Sequence, residues 1–367
     1  MPWRSLPTLL AEAPAPDQAL PTPGTDSLAD LAYLQYTSGS TSAPRGVQIT
    51  HGNLLAQCQA MMSGLGTQGV RALTWLPWFH DYGLVHGVIQ PLYSGGVSFL
   101  MATGQFLLRP LRWLEAIEKH HVTHSGAPNF AYAACVQALA RTPKWSAQLD
   151  GWQLATCGAE PVRSATLDAF AAAFAPHGFD ATVLAPSYGL AEAVLAVTVR
   201  DIRTPLQKTV VDAQALEQHE VKPAAAETPG TRTLVGCGPA LPGFQLRIVD
   251  PGTALPCAAG RVGEIWGAGP SVGQGYWQQP AATAESFGAT LAGEHADGLA
   301  YLRTGDLGFL REGELFVTGR LKDLIVVNGR NLYPQDLERA AELADTHRRS
   351  GRVIAVSVDQ GQKEAVV

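Results

Sequence analysis

The chain has 367 residues, 46% hydrophobic and 16% charged, enough to bury large cores and to form two domains or one large domain with an appendage. Its formal net charge of -6 gives no overall attraction for phosphodiester backbones or anionic lipid, so nucleic acid is not expected as a partner. Cys58, Cys135, Cys157, Cys237 and Cys257 lie singly, without the spacing of a disulfide framework or zinc site, and no run reaches the roughly eighteen apolar residues of a membrane helix; a soluble, cytoplasmic protein without membrane insertion is expected.

Residues 1–30 are rich in Pro and Ala and predict an extended lead-in. The apolar run Leu31 to Tyr36 reads as a buried strand, and Thr50-His51-Gly52-Asn53 reads as a helix start. Between them runs Thr37-Ser38-Gly39-Ser40-Thr41-Ser42-Ala43-Pro44-Arg45-Gly46, a loop of hydroxyls and small residues that ends in a cation. Small residues let backbone N–H groups approach an anion, the hydroxyls add donors, and Arg45 adds fixed charge. Thr37, Ser38, Gly39, Ser40, Thr41 and Arg45 are therefore candidate ligands of a nucleotide's phosphates, although the loop lacks the Walker pattern. The alternative is a solvated Ser/Gly linker, which the flanking strand and helix signals oppose.

Further along, Ala72–Leu76, Val97–Met101, Val122–Ser125, Leu154–Cys157 and Thr182–Leu184 read as strands, and Leu111–Lys119, Phe130–Ala140 and Ala165–Ala175 as helices. Their alternation predicts an α/β fold with a helix-covered, largely parallel sheet over residues 31–235. Residues 201–232 are polar and without sustained periodicity, predicting a surface excursion. Gln245–Val249, Gly263–Trp266, Leu315–Thr318 and Leu324–Val327 are strand-like runs punctuated by Gly and Pro, predicting a smaller β subdomain over residues 236–321. A helix from Pro334 to about Thr346 and a strand over Arg352–Val358 then open a small α+β domain within residues 322–367.

Several clusters can carry chemistry, each with a plain structural alternative. His80-Asp81 sits among aromatics in Trp75 to Leu84, which suits a pocket wall but equally an aromatic core with a surface pair. Gly158-Ala159-Glu160-Pro161 follows a strand at the end where open parallel sheets place ligands, and is also a common turn sequence. Ser187-Tyr188-Gly189-Leu190-Ala191-Glu192 joins a stacking face to an acid able to hold Mg²⁺, or is a structural Tyr with a solvated Glu. Asp306, in a Gly-flanked turn after a strand, can accept both hydroxyls of a ribose, as a simple Asx turn would also look. The group His120, His121 and His124 spans a helix end and a strand start, with no carboxylate or cysteine set beside it, and is not read as a metal site.

Taken in order, TSGSTSAPRG, WLPWFHDYGL, CGAEP, SYGLAE, GEIWGAGPSVGQGYW, YLRTGDLGF and GRLKDLIVVNGRNLYPQD resemble the adenylate-forming superfamily, and most closely its fatty acyl-AMP ligases. The resemblance implies ATP-dependent activation of a fatty acid to an acyl-adenylate, with transfer to the phosphopantetheine of an acyl carrier protein. It implies that the loop from Thr37 to Gly46 holds the β- and γ-phosphates, that Glu192 binds Mg²⁺, and that Gly158, Ala159, Glu160, Tyr188 and Gly189 line the adenine site. It places Asp306 on the ribose with Arg320 nearby, His80 between acyl tunnel and adenylate, and Lys322 at the hinge of a C-terminal domain. Ser42 stands where many relatives have Gly and Arg45 where many have Lys, which keeps the charge but changes its shape. Relatives also carry a larger segment before the phosphate loop and a complete C-terminal domain with a catalytic lysine. The expectation is thus an enzyme core lacking both flanks. Its rivals are a non-catalytic nucleotide- or acyl-binding remnant, an acyl-CoA synthetase and an amino-acid adenylation domain.

Overall fold

A computed structural model describes residues 27–37, 44–226, 228–327, 330–344, 353–359 and 364–366. The order of elements begins with an antiparallel hairpin of β1 (Leu31–Thr37) and β2 (Arg45–Thr50), in which Thr37 pairs with Arg45. The helix His51–Leu65 starts directly from β2 through a capping box. The Thr50 hydroxyl accepts from the Asn53 N–H, and the Asn53 side chain accepts from the Thr50 N–H, each at 3.1 Å. The Asn53 amide also donates to the carbonyls of Pro270 and Val272 at 2.8 Å, which ties this corner to a segment more than two hundred residues away.

The main sheet contains β3 (Arg71–Thr74), β4 (Val97–Leu100), β5 (His124–Ala127), β6 (Leu154–Cys157), β7 (Leu184–Gly189) and β8 (Ala196–Val199), in the order β4-β3-β5-β6-β7-β8. All pair in parallel except β7 with β8. Every residue of β5, β6 and β8 is buried, as expected of strands covered by helices on both faces. Helices Leu111–Lys119, Asn129–Ala140 and Ser164–Phe174 pack against one another as one layer of that cover. Large rings fill the space beneath them: Trp113 packs edge-on against Tyr132 and Trp152, and Trp75 stacks on Phe106 at 3.8 Å.

Residues 201–232 are not an unstructured excursion. β9 (Lys208–Asp212) pairs with β10 (Thr231–Val235), and the helix Ala213–Glu217 lies between them. Val211, Leu216 and Leu234 are buried against Phe309 and Phe316, so a few apolar residues spaced within polar sequence are enough to seat the hairpin. Next come β11 (Gln245–Val249), β12 (Gly263–Ala268), β13 (Leu302–Arg311) and β14 (Glu314–Arg320), an antiparallel sheet in sequence order. A hairpin of β15 (Ile325–Val327) and β16 (Arg330–Leu332), the helix Pro334–Ala344 and the pair β17 (Ser357–Asp359) with β18 (Glu364–Val366) complete the order.

Expected elements are displaced in places, and one element was not expected. Thr182 and Val183 belong to a 3-10 turn, and the strand begins at Leu184 rather than ending there, because the Asp180 side chain accepts from the Thr182 N–H and holds the turn. The strand expected over Arg352–Val358 starts at Ser357, and residues 353–356 are irregular. After Tyr82 the chain forms a π-helix over Tyr82–Ile89, whose signature periodicity analysis does not test. Among the described residues no helix is long and apolar enough to cross a membrane.

Candidate active site

The cleft lies outside the C-terminal ends of β3, β6 and β7. Because β5 returns to the opposite side of β3 from β4, the chain segments leaving β3 and β5 diverge there and leave a crevice. Two cavities occupy it, of about 460 Å³ and about 530 Å³, and both are bordered by Ala159, Tyr188 and Arg320. The first is also lined by Arg45, His80, Glu192 and Lys322 and extends to Met61 and Leu65. The second takes in Glu160 and Asp306.

Between the cavities stands a hydrogen-bonded wall. The Tyr188 hydroxyl donates to Asp306 Oδ2 at 2.8 Å, and Arg320 Nε donates to Asp306 Oδ1 at 2.8 Å. Asp306 and Arg320 are cross-strand partners in β13 and β14, so the sheet register sets this pair. Asp306 was expected in a turn after a strand, but it lies within β13. Gly305 has φ +72° and the register slips between Leu307 and Gly308, so the glycines mark a bulge in the strand rather than its end.

Buried Glu264 braces the bulge. Its Oε2 accepts from Arg303 at 2.9 Å and from the Trp266 indole at 2.9 Å, and its Oε1 accepts from the Gly305 N–H at 3.1 Å. Sequence reasoning assigned Glu264 no role, although an acid inside the apolar strand GEIW signals a partnered buried charge.

At the phosphate end, Thr37 and Arg45 face each other across the hairpin and both line the first cavity. Ser38, Gly39, Ser40 and Thr41, the other loop candidates, lie outside the described residues. The Arg45 guanidinium lies 5.1 Å from the centre of the Tyr276 ring, and the Tyr276 hydroxyl donates to Glu192 Oε1 at 2.7 Å. Tyr276 thus couples the candidate phosphate cation to the candidate metal ligand. No local pattern could have paired positions so far apart in the chain. Burial pushes the Glu192 carboxyl above its ordinary value, and the Tyr276 hydrogen bond opposes the shift.

His80 and Asp81 follow β3 as an ion pair with Nδ1 2.6 Å from Oδ1, half of the His80 side chain exposed to the cleft. The hydrogen bond to Asp81 raises the His80 pKa, and burial opposes it. On the other side, the turn after β6 is held close to β7. A Cβ on Gly158 would come within 2.6 Å of Ser187 Oγ, and one on Gly189 within 1.9 Å of the Leu195 carbonyl. Ala159 adopts φ +64°, a strained conformation of the kind that clusters at ligand sites. The Glu160 carboxylate accepts the Phe130 N–H at 2.5 Å, at the start of the helix Asn129–Ala140. Lys322 is exposed at the cleft rim in the 3-10 turn Leu321–Asp323.

The structure therefore brings together the described candidates His80, Arg320, Lys322, Thr37, Arg45, Ala159, Glu160, Tyr188, Gly189, Asp306 and Glu192, with Gly158 supporting the turn beneath them. Among the described residues no group of three or more His, Cys, Asp or Glu forms a metal cluster, and His124 is buried at the start of β5.

An open α/β sheet followed by a bulged antiparallel sheet, with a shared cleft between two cavities, is the fold of the adenylate-forming enzymes. The chain belongs to the AMP-binding enzyme family, which matches residues 3–277. It is 45% identical over 342 residues to the medium-chain-fatty-acid acyl-carrier-protein ligase JamA of Moorena producens (strain JHB), covering 92% of this chain and 57% of that protein. A second such ligase, TtuA of Teredinibacter turnerae, is 40% identical over 322 residues, covering 86% of this chain and 50% of that protein. The chain thus spans about half the length of these curated relatives. Among solved structures, the fatty acyl-adenylate ligase of Legionella pneumophila in complex with acyl adenylate and pyrophosphate superposes with a TM-score of 0.78 at 38% identity, covering 94% of this chain and 60% of that one.

Proposed function

We propose that this chain activates a fatty acid with ATP, forming an acyl-adenylate and pyrophosphate, for delivery to the phosphopantetheine thiol of an acyl carrier protein. The observation that carries this is the wall of Tyr188, Asp306 and Arg320, which stands between a cavity with an apolar arm and a second, more polar one. A nucleoside in the second cavity would set its ribose against Asp306 and its base beside Tyr188, Gly189 and the turn Gly158 to Glu160. Its phosphates would then pass the wall into the first cavity, toward Thr37 and Arg45.

A fatty acid lying in the apolar arm brings its carboxylate to the same place, beside His80. The carboxylate oxygen attacks the α-phosphorus, the bond to the bridging oxygen breaks, and pyrophosphate leaves. No protein nucleophile is required, because positioning and neutralisation of charge carry a phosphoryl-type transfer. Arg45 supplies fixed charge at the leaving group, and His80, whose pKa the Asp81 hydrogen bond raises, is placed to donate to the carboxylate. Glu192 fits the role of Mg²⁺ ligand, since Mg²⁺ takes one or two carboxylates together with phosphate oxygens and this carboxylate faces the cavity. The ion would neutralise charge on the departing pyrophosphate, and Tyr276 orients the Glu192 side chain. Lys322, at the rim, is assigned to the hinge on which a following domain turns for the transfer step.

The names of JamA and TtuA support the acid and the carrier protein as partners. Incubation of the purified chain with ATP, Mg²⁺ and medium or long fatty acids is expected to yield acyl-AMP by mass spectrometry, consumed on adding a phosphopantetheinylated carrier protein. Nucleotide binding without pyrophosphate release would instead identify a non-catalytic binding protein. Formation of acyl-coenzyme A when coenzyme A is added instead of the carrier protein would identify a synthetase.

A further inference from the structure

The apolar arm of the first cavity contains a polar group for which activation of a plain fatty acid has no use. His86, on the π-helix Tyr82–Ile89, and Thr156, on β6, both line this cavity together with Met61, Leu65 and Val199. His86 Nε2 lies 3.3 Å from Thr156 Oγ1, which in turn lies 2.7 Å from the Tyr82 hydroxyl. The backbone makes room for this arrangement on purpose-built terms. Gly83 and Gly87 press the π-helix onto the end of β3, where a Cβ would come within 2.2 Å of the Pro77 carbonyl and 2.4 Å of Thr74 Cγ2. On the adjacent strand, a Cβ on Gly126 would stand 1.8 Å from Thr156 Oγ1 and 2.4 Å from the Tyr82 hydroxyl. Gly83 and Gly87 thus seat the π-helix against β3, and Gly126 clears the space in which Tyr82 and Thr156 meet.

The hydrogen-bond inventory leaves one valence over. Burial, reinforced by neighbouring His124, pushes His86 down to about 4, so the ring is neutral near neutral pH and has one donor and one acceptor nitrogen. Nε2 is engaged by Thr156, while Nδ1 meets no hydrogen-bonding group of the described residues, and the residue is only 9% exposed. Nδ1 is therefore free to exchange a hydrogen bond with a ligand group in the cavity that His86 lines. Thr156 lies inside β6, before the turn that carries Ala159 at the cavity border.

Resting on the function proposed above, we infer that His86, oriented by Thr156, forms a subsite for a hydroxyl group on the acyl chain, and that the preferred acid is a hydroxylated fatty acid. A hydroxyl suits either tautomer of His86, because it both donates and accepts, whereas a ketone serves only the tautomer with Nδ1 protonated.

The test compares decanoic acid with its monohydroxy isomers, substituted at successive carbons, on the unmodified protein. The expected result is one preferred position, with kcat/KM for acyl-AMP formation at least about tenfold above that of decanoate. His86→Leu is expected to reverse the preference by raising turnover of decanoate and lowering that of the hydroxy acid, and Thr156→Val to weaken it. Decanoate turned over as well as every isomer, or a preference unchanged in His86→Leu, would overturn the inference. Should no acid yield an adenylate, the proposed function fails, and calorimetric binding of the same acids to the unmodified protein decides the subsite separately. Tighter binding of one isomer by about tenfold would sustain it, and equal binding would refute it.

Discussion

Replacing Asp306 with alanine is expected to weaken ATP binding by about tenfold to a hundredfold while leaving binding of the fatty acid within about threefold. The side chain accepts hydrogen bonds from both Tyr188 and Arg320. A hydrogen bond to a charged group is worth about 1.5 to 3 kcal/mol, and a donor left without its partner adds to that cost. On the proposed assignment the substituted protein has no acceptor for the ribose, and the Tyr188 hydroxyl and the Arg320 guanidinium lose the carboxylate that holds them. Nothing in the apolar arm around Met61 and Leu65 touches this group among the described contacts, which is why the acid is spared. Asp306→Asn keeps one acceptor and is expected to fall between the two. Calorimetric titration of each ligand alone checks the split, and an equal loss of both would remove Asp306 from the ribose site.

Acidification supplies the second large effect. His86 and His124 are both buried and both pushed down to about 4 from an ordinary value of 6.5, with loss of solvent as the main cause. Unfolded, each would take up a proton as the pH falls through about 6.5; folded, each resists until about 4. Their contribution is therefore complete above about pH 6.5 and is lost as the pH falls through about 4, because protons bind preferentially to the unfolded chain. At about 1.4 kcal/mol per unit, each histidine accounts for on the order of 3 kcal/mol over that window. Urea midpoints followed by circular dichroism are expected to drop steeply between pH about 6.5 and about 4, and His124→Leu to reduce that slope by about one proton. A slope unchanged in the variant would show that the carboxylates alone set the acid limit.

The legible part of the sequence was the part governed by local rules. Buried runs such as Leu154–Cys157 and amphipathic stretches such as Leu111–Lys119 lie where their periodicity put them, because burial on one stripe or on both faces leaves a pattern in adjacent residues. The candidate site residues were found as short clusters at strand ends, and the shared cleft follows from the parallel sheet. What escaped depends on partners remote in the chain. Glycines flanking Asp306 looked like a turn because a bulge uses the same residues, and only pairing with β14 distinguishes the two. The hairpin of β9 and β10 hid in polar sequence because only a few of its residues, such as Val211 and Leu234, need to be buried. Tyr276 acts through Arg45 and Glu192, and Glu264 through Gly305 and Arg303 on the neighbouring strand, contacts that exist only after segments remote in the chain have come together. The π-helix that carries Tyr82 and His86 has no sequence template beyond Gly83 and Gly87, whose crowding against β3 is visible only in three dimensions.

The central claim is that one cleft holds a nucleotide on one side of Tyr188 and an acyl chain on the other, joined at the wall. A stable acyl-sulfamoyl adenosine is expected to span both cavities at once, and calorimetric titration of it against the purified chain measures that claim directly. Its Kd is expected to lie at least about a hundredfold below those of ATP and of the free acid, because an analogue of the bound intermediate gathers both sets of contacts for one loss of translational freedom. Binding no tighter than ATP alone would contradict a shared cleft.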